Sequence, residues 1–314
     1  MSSRRQTPGL TLLALVAFAA NSIFCRLALH TGAIDAMSFT SVRLLSGALM
    51  LALLLYLRSR HQNTLTRQMF NPLPAICLFG YAMLFSWAYT LLDTGTGALI
   101  LFGTVQLTMI GRSLLGGSHL TRLECGGSAM AISGLTYLLL PGVSAPSLPA
   151  AGAMALAGIA WGGYTLLGKA SKDALAGSAV NFMLTLPLAL LISLLDITDT
   201  HISTAGISYA VASGALASGC GYAIWYQVLP RLGTTTAATV QLSVPMLAAF
   251  GGTLFLSETI SDRLLIASCL TLGGIALVIR AASARAKQRI SGTDPATAPQ
   301  PEPQTKQATP RGGL

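Results

Sequence analysis

The sequence has 314 residues, of which 53% are hydrophobic and only 9% are charged, and its formal net charge is +9. A soluble domain carries about 25% charged residues, so this chain has too little polar surface to cover a water-soluble globule. Its basic residues lie in short stretches between apolar runs, which argues against a nucleic-acid-binding protein. The composition therefore predicts an integral membrane protein that contacts the lipid bilayer.

Ten apolar segments follow one another along the chain, and each has close to the ~20 residues that a helix needs to cross the hydrocarbon core. In chain order they are 9–30, 36–57, 72–92, 96–115, 123–141, 149–170, 178–196, 205–229, 234–256 and 262–281. We therefore expect an all-α integral membrane protein with ten transmembrane helices. Residues 286–314 are rich in proline and polar residues, which predicts a disordered cytoplasmic tail.

The second half of the sequence repeats the first. Residues 160–169 resemble residues 17–26, and Trp225 matches Trp87 at a similar spacing. Each half contains five apolar segments, and because five is odd the second half must enter the membrane from the opposite side. Two inverted five-helix repeats around a central cavity are typical of secondary transporters. The repeats are predicted to span residues 1–141 and 149–281.

The loop charges predict the orientation. With the N-terminus in the cytoplasm, sixteen of the 19 basic residues fall on the inner side. An odd number of helices would move one terminus to the side that is poor in basic residues. The charges therefore favour ten helices with both termini cytoplasmic.

No motif for catalysis or cofactor binding is complete. The stretch Gly163–Lys169 fits part of a phosphate-binding loop, but Ala170 replaces the hydroxyl residue and the stretch lies in a predicted membrane helix. The four histidines lack metal-ligand spacing, and the five cysteines contain no C-x-x-C pair. We expect no enzyme activity, no cofactor and no metal. A membrane enzyme and a sensor or channel subunit remain rival classes.

The positions of the acidic residues and of Arg43 indicate whether transport is coupled to an ion. Every Asp and Glu maps to a loop, the tail or a helix end, whereas ion-coupled transporters usually keep an ionisable residue near the midplane. This predicts facilitated transport. Arg43 lies about 10 Å inside its helix, at 1.5 Å per residue. It either anchors a substrate carboxylate, or it snorkels to an interface or pairs with backbone carbonyls.

Aromatic residues are the positive signal for a binding site. Phe18 and Asn21 in the first segment, and Trp161 and Tyr164 in the sixth, are spaced i, i+3 and so share a helix face. Rings with amide tips suit a zwitterion with an apolar side chain, although core packing would use the same residues. An interfacial aromatic belt is the alternative for Trp87, Tyr89, Trp225 and Tyr226.

Two glutamines and a proline complete the predicted site. Gln106 and Gln241 lie in near-identical contexts in two segments, and each is either an interhelical clamp or a substrate contact. Pro245 can kink its helix and contribute to gating. The residues predicted to bind substrate are Phe18, Asn21, Phe79, Tyr81, Met83, Gln106, Trp161, Tyr164, Tyr222 and Gln241.

Three motifs carry a resemblance to a known family. Residues 160–169 are similar to a W-G-x-x-x…K repeat start, Arg43 matches an arginine on the second helix, and Ser257-Glu258 with Gly273-Gly274 resembles a G-E…G signature. Over about residues 9–281 the chain resembles the EamA-type exporters of the drug/metabolite transporter superfamily. The first half departs from the pattern, since it begins with residues 18–21 and has His119 where an acid is usual.

Within that superfamily the sequence looks most like the bacterial aromatic amino acid exporters. The resemblance implies a basket-shaped ten-helix fold in the bacterial inner membrane that exports aromatic and other apolar amino acids by alternating access. One chain contains the whole cavity, so we expect a monomer. An exporter of another metabolite or drug in the same superfamily is the alternative.

Overall fold

The computed structural model describes residues 2–59, 71–117, 119–142, 145–168, 173–195, 200–232 and 234–290. The first half contains α1 (Ser2–His30), α2 (Ala36–Ser59), α3 (Pro72–Tyr89), α4 (Thr94–Leu115) and α5 (Arg122–Leu139). The second half contains α6 (Leu148–Gly168), α7 (Ala174–Leu195), α8 (Thr204–Val211), a π-helical segment (Ala212–Cys220), α9 (Gly221–Val228), a 3-10 turn (Leu229–Arg231), α10 (Thr234–Gln241), α11 (Val244–Leu256) and α12 (Asp262–Ile290). Lys169 and residues 291–314 of the predicted tail lie outside the described residues.

Several helices begin at residues whose side chains satisfy the free N–H groups of the first turn. Asn71 directly precedes α3, and its side chain accepts a hydrogen bond from the backbone N–H of Leu73. Pro72 is the first residue of this helix, where its missing N–H costs no hydrogen bond. Thr121 and Glu124 form a capping box at the start of α5, in which each side chain bonds the other residue's backbone N–H. The sequence thus fixes these helix starts locally.

Nine helices in the described part are long and apolar enough to cross a membrane. In this count Thr204–Arg231 is one span, and Thr236–Leu256 is another. The remaining predicted span, at 123–141, corresponds to α5 and is not among the nine. This helix has 18 residues and carries Arg122 and Glu124 in its first turn. Within the described residues the only β-pairing is a single bridge between Ile34 and Ile202. The prediction of an all-helical integral membrane protein is confirmed.

Two predicted spans are interrupted. The span predicted at 205–229 changes from α- to π-helix at Ala212 and returns to α-helix at Gly221. The span predicted at 234–256 stops at Gln241 and restarts at Val244, with Pro245 in the first turn of α11. A proline is tolerated there because the first turn has no internal partner for its missing N–H. At the other end of the chain, α12 continues to Ile290, through the first residues of the predicted tail.

Helix pairs from the two halves pack in corresponding ways. α2 lies antiparallel to α7, because Ser41 Oγ is 2.8 Å from Ser193 Oγ while Arg58 forms an ion pair with Asp173 at the other end. α5 packs along α12. α1 contacts α8, the π-helical segment, α9 and α11, whereas α6 contacts α3 and α4.

Glycines allow the closest of these approaches. A Cβ at Gly158 of α6 would lie 2.8 Å from the carbonyl oxygen of Leu101, and one at Gly162 would lie 2.9 Å from the methyl group of Thr108. Small residues let helix backbones approach in this way in lipid. In the π-helical segment, a methyl group on Gly214 would overlap the carbonyl oxygen of Arg43 and the hydroxyl of Ser46.

Gly214→Ala is therefore expected to destabilise the protein by about 3 kcal/mol, because the backbone of α2 cannot move aside as a flexible side chain can. Thermal unfolding of the purified variant in detergent measures the loss as a lower Tm. Gly152→Ala in α6 is the matched control, since a Cβ there meets nothing within 4 Å. An unchanged Tm in Gly214→Ala would contradict this close packing against α2.

Candidate functional site

Five aromatic side chains from four helices meet in the interior. We call them the aromatic cluster: Phe18, Tyr81, Trp161, Tyr164 and Tyr222. The ring centroid of Trp161 lies 4.7 Å from that of Tyr81, 5.3 Å from that of Tyr164 and 5.6 Å from that of Tyr222. Phe18 packs edge-on against Tyr222 at 5.9 Å. The cluster joins α1 and α3 of the first half to α6 and α9 of the second.

A chain of buried hydrogen bonds runs beside these rings. Ser213 Oγ donates to Asn21 Oδ1 at 2.6 Å, and Asn21 Nδ2 donates to the Tyr81 hydroxyl at 3.2 Å. Arg43 Nη2 donates to the same hydroxyl at 3.0 Å. We call these four residues the polar chain. Its first member lies on the π-helical segment, and such segments are frequent at functional sites.

Arg43 is the buried cation of this region. It is only 1% exposed, so it does not snorkel to an interface. Among the described residues its side chain bonds the Tyr81 hydroxyl and no backbone carbonyl. Its guanidinium carbon lies 5.2 Å from the ring centroid of Tyr81 and 5.0 Å from that of Phe85. Its Nε and Nη1 atoms are buried and have no hydrogen-bond partner within the described part of the chain.

A second set of hydrogen-bonded hydroxyl groups includes Tyr164 of the aromatic cluster. Tyr164 Oη is 3.2 Å from Ser178 Oγ, which is 3.1 Å from Tyr226 Oη. These bonds join α6, α7 and α9. Two separate sets of polar groups therefore bond to the hydroxyls of Tyr81 and Tyr164 in the cluster, and an aromatic ring with a polar tip suits a semi-polar binding site.

The structure brings six of the ten predicted binding residues together: Phe18, Asn21, Tyr81, Trp161, Tyr164 and Tyr222. Phe79 and Met83 stand two residues before and after Tyr81, and residues two apart do not share a helix face. Neither makes a ring contact or hydrogen bond with the cluster in the described part of the chain.

Gln106 and Gln241 are partly exposed. Among the hydrogen bonds of the described residues none joins these glutamine side chains to another helix, so the interhelical clamp does not form in this structure. Both remain predicted substrate contacts.

The aromatic belt interpretation is wrong for two of its four residues. Tyr89 is 0% exposed and Trp225 is 7% exposed, and both pack inside the bundle. Trp87, by contrast, is 44% exposed, as a residue in contact with lipid or water should be. Sequence reasoning missed Ser213, because it lies in a run of small residues that is typical of a packing surface.

A network around Arg26 closes one end of the bundle. Arg26 Nε donates to Glu258 at 3.2 Å, and Nη1 donates to the carbonyl oxygens of Tyr89 at 3.0 Å and Thr90 at 3.1 Å. Nη2 donates to Asp93 at 3.3 Å. This Arg26 network ties the end of α1 to the α3–α4 and α11–α12 links, at the end that the loop charges assign to the outside.

Glu258 is held in the network by hydrogen bonds of both its side chain and its backbone. Its Oε2 accepts the backbone N–H of Thr94 at 2.8 Å, and its own backbone N–H donates to Gly252 at 3.2 Å. Ser257 before it adopts the left-handed conformation with φ 56°, which turns the chain out of α11. Glu258, the acid of the G-E…G signature, therefore joins Arg26 to the start of α4 and to the end of α11.

A pocket of about 280 Å³ opens beside the Arg26 network. Polar residues from the α3–α4 link, α4, α11 and the α11–α12 link contribute to its wall, among them Asp93, Thr96, Thr253, Glu258 and Ser261. No member of the aromatic cluster lines it. In this conformation the rings of the cluster pack against one another.

Comparison with known proteins gives three findings. Residues 148–280 match the model of the EamA-like transporter family. The uncharacterized protein PA1977 of Pseudomonas aeruginosa is 52% identical over 275 residues, which cover 88% of this chain and 95% of that relative. A crystal structure of another protein matches with a TM-score of 0.58 at 20% identity, over 86% of this chain and 98% of that one. At that identity the crystal structure establishes a shared fold.

Proposed function

This chain belongs to the EamA-like transporter family, and we propose that within the family it exports amino acids, with aromatic and other apolar ones preferred. Membership makes it a multi-pass membrane transporter of small molecules. The substrate class, export across the bacterial inner membrane and a facilitative mechanism belong to the proposal.

The observation that carries the proposal is the aromatic cluster with its polar chain. Rings from both halves of the sequence meet next to the amide of Asn21 and the hydroxyl of Tyr81. Ring faces accommodate an apolar side chain and also attract an ammonium group. Amide and hydroxyl groups supply the hydrogen bonds that a zwitterion needs. A free aromatic amino acid combines these two requirements in one small molecule.

Alternating access is proposed from the correspondence between the halves. The helix pairs α2–α7 and α5–α12 each join equivalent helices of the two halves, and the contacts of α1 correspond to those of α6. This pattern supports two inverted repeats, residues 1–141 and 149–281, with the cluster between them. Closure by the Arg26 network at one end fits a carrier that opens one side at a time.

The positions of the acids support facilitated transport. In the described chain the carboxylates lie at helix ends or in links, at Asp35, Asp93, Glu124, Asp173, Glu258 and Asp262. None of them is near the middle of a described span, where a proton or sodium carrier usually lies.

Uptake of labelled phenylalanine and tryptophan into liposomes holding the purified protein tests the proposal. We expect saturable flux that is indifferent to an imposed proton gradient and absent from protein-free liposomes. Flux only with the gradient would keep the substrate and overturn the facilitative mechanism. Without flux of either amino acid the substrate proposal fails, and another metabolite or drug takes its place.

A further inference from the structure

Two arginines in the interior differ in how their N–H groups are used. Every nitrogen of the Arg26 guanidinium donates to a protein acceptor. The Arg43 guanidinium donates through Nη2 to Tyr81, and its Nε and Nη1 are buried without partners among the residues that the structure describes. Unpaired buried donors on a charged group are costly. An arginine that only ties helices together would have the pattern of Arg26.

The free N–H groups of Arg43 form a complete recognition surface. A guanidinium has two edges that each present two parallel N–H groups, and Nη2 contributes one hydrogen to each edge. The single hydrogen bond to Tyr81 occupies only one of those hydrogens. One edge therefore keeps both of its N–H groups, which is the arrangement that binds a carboxylate through two parallel hydrogen bonds.

No protein carboxylate neutralises this cation among the described residues. Their ion pairs join Asp93 and Glu258 to Arg26, Asp173 to Arg58, and Glu124 to Arg285. The rings of Tyr81 and Phe85 attract the guanidinium, but a ring face offers no acceptor equal to an oxygen. The missing partner is thus an anion that the described part of the chain does not supply.

We propose that Arg43 binds the carboxylate of the transported molecule. This inference rests on the proposed function and deepens it, because it makes the carboxylate, and not the amine, the group that the carrier requires. Tyr81 links the two parts of the site: its hydroxyl accepts from Arg43, and its ring contacts Trp161. A carboxylate on Arg43 therefore lies beside the rings that take the apolar part of the substrate.

Matched ligand pairs test the inference on the intact protein. Phenylalanine is compared with phenethylamine, which lacks the carboxylate, and 3-phenylpropionate with 3-phenylpropanamide, which is uncharged. Thermal unfolding in detergent reports binding, and liposome uptake reports transport. The two carboxylates are expected to raise the Tm of the wild-type protein, whereas the amine and the amide are not.

Variants then connect the effect to the arginine. Arg43→Met is expected to fold with a Tm no lower than that of the wild type, because it removes a buried charge whose desolvation cost is only partly offset by the bond to Tyr81. Its affinity for phenylalanine should fall by about 100-fold, since two charge-assisted bonds are lost. Arg43→Lys keeps the charge without the planar edge and should lose about 10-fold. Arg58→Met at the exposed end of the same helix is the control.

The outcomes separate this inference from the proposed function. Equal phenylalanine transport by the wild type and Arg43→Met would overturn the role of Arg43 and leave the proposed function intact. Stabilisation by 3-phenylpropionate, lost in Arg43→Met, together with no amino acid transport, would support Arg43 and overturn the amino acid substrate. If Arg43→Met does not fold, Arg43 is structural unless the wild type still distinguishes the acid from its amide.

Discussion

Trp161→Ala is expected to reduce phenylalanine export by at least about 100-fold while the protein is expressed and inserted normally. Trp161 is the centre of the aromatic cluster, where its ring meets those of Tyr81, Tyr164 and Tyr222 within 5.6 Å. Its loss removes a stacking surface and leaves the other rings without a shared contact. Liposome flux measures the effect, and the amount of folded protein is measured by size-exclusion chromatography.

Trp87→Ala provides the matched control for this prediction. Trp87 is the same residue type but is 44% exposed, so its removal should leave flux within about two-fold of the wild type, as is usual for surface positions. Trp161→Phe should retain part of the activity, because it keeps a ring. If Trp161→Ala transported as well as Trp87→Ala, the aromatic cluster would be ordinary core packing and not a binding site.

Glu258→Gln is expected to open the end of the bundle that the Arg26 network closes. The substitution removes one charge from a buried pair, and breaking such a pair costs about 3 kcal/mol. Arg26 then keeps Asp93, whose side chain is 59% exposed and so holds the cation weakly. We expect a lower Tm and faster exchange of the closed state with an open one.

Cys25 reports this opening directly. It precedes Arg26 and is 0% exposed, so a maleimide should not reach it while the network is closed. The reporter protein keeps Cys25 and replaces the four other cysteines by alanine: Cys77, Cys125, Cys220 and Cys269. Labelling should be slow in this protein and at least about 10-fold faster after Glu258→Gln, as expected when the closed state loses more than 1.4 kcal/mol.

Asp262→Asn is the control for this second prediction. Asp262 lies in the first turn of α12, near Glu258 in sequence but outside the Arg26 network, and an acid there contributes about 0.5 kcal/mol through the helix dipole. Its replacement should leave the labelling rate of Cys25 unchanged. Equal rates in both variants would show that the network does not control access to the interior.

Hydropathy predicted the spans because crossing a bilayer requires a long apolar helix whatever its neighbours are. The same signal could not predict the π-helical segment or the break at Gln241, since hydropathy does not record which carbonyl each N–H bonds. The span predicted at 123–141 begins one residue after Arg122, whereas α5 begins at Arg122 and is the long helix of the described chain that is not among the nine membrane-spanning candidates.

The site residues were predictable only where the spacing along a helix shows which side chains share a face. Phe18 and Asn21 share a face and both reach the interior contacts. Phe79 and Met83 are each two residues from Tyr81, a spacing that puts them on a different face of α3, so their role in binding stays a prediction. The partners of Arg43 and Ser213 depend on how whole helices are rotated against one another, which a single sequence does not encode locally.

Because the tryptophans have different surroundings, their intrinsic fluorescence can report substrate binding. The chain has three of them, and the exposed Trp87 is the one that lies apart from the interior rings. The ring of Trp225 is 5.8 Å from that of Phe18, and Trp161 belongs to the cluster itself. In a Trp87→Phe background the indole emission therefore comes from Trp161 in the cluster and from Trp225 beside Phe18. Quenching or a spectral shift on adding phenylalanine, which is transparent at the excitation wavelength of indole, then follows occupancy without any attached dye.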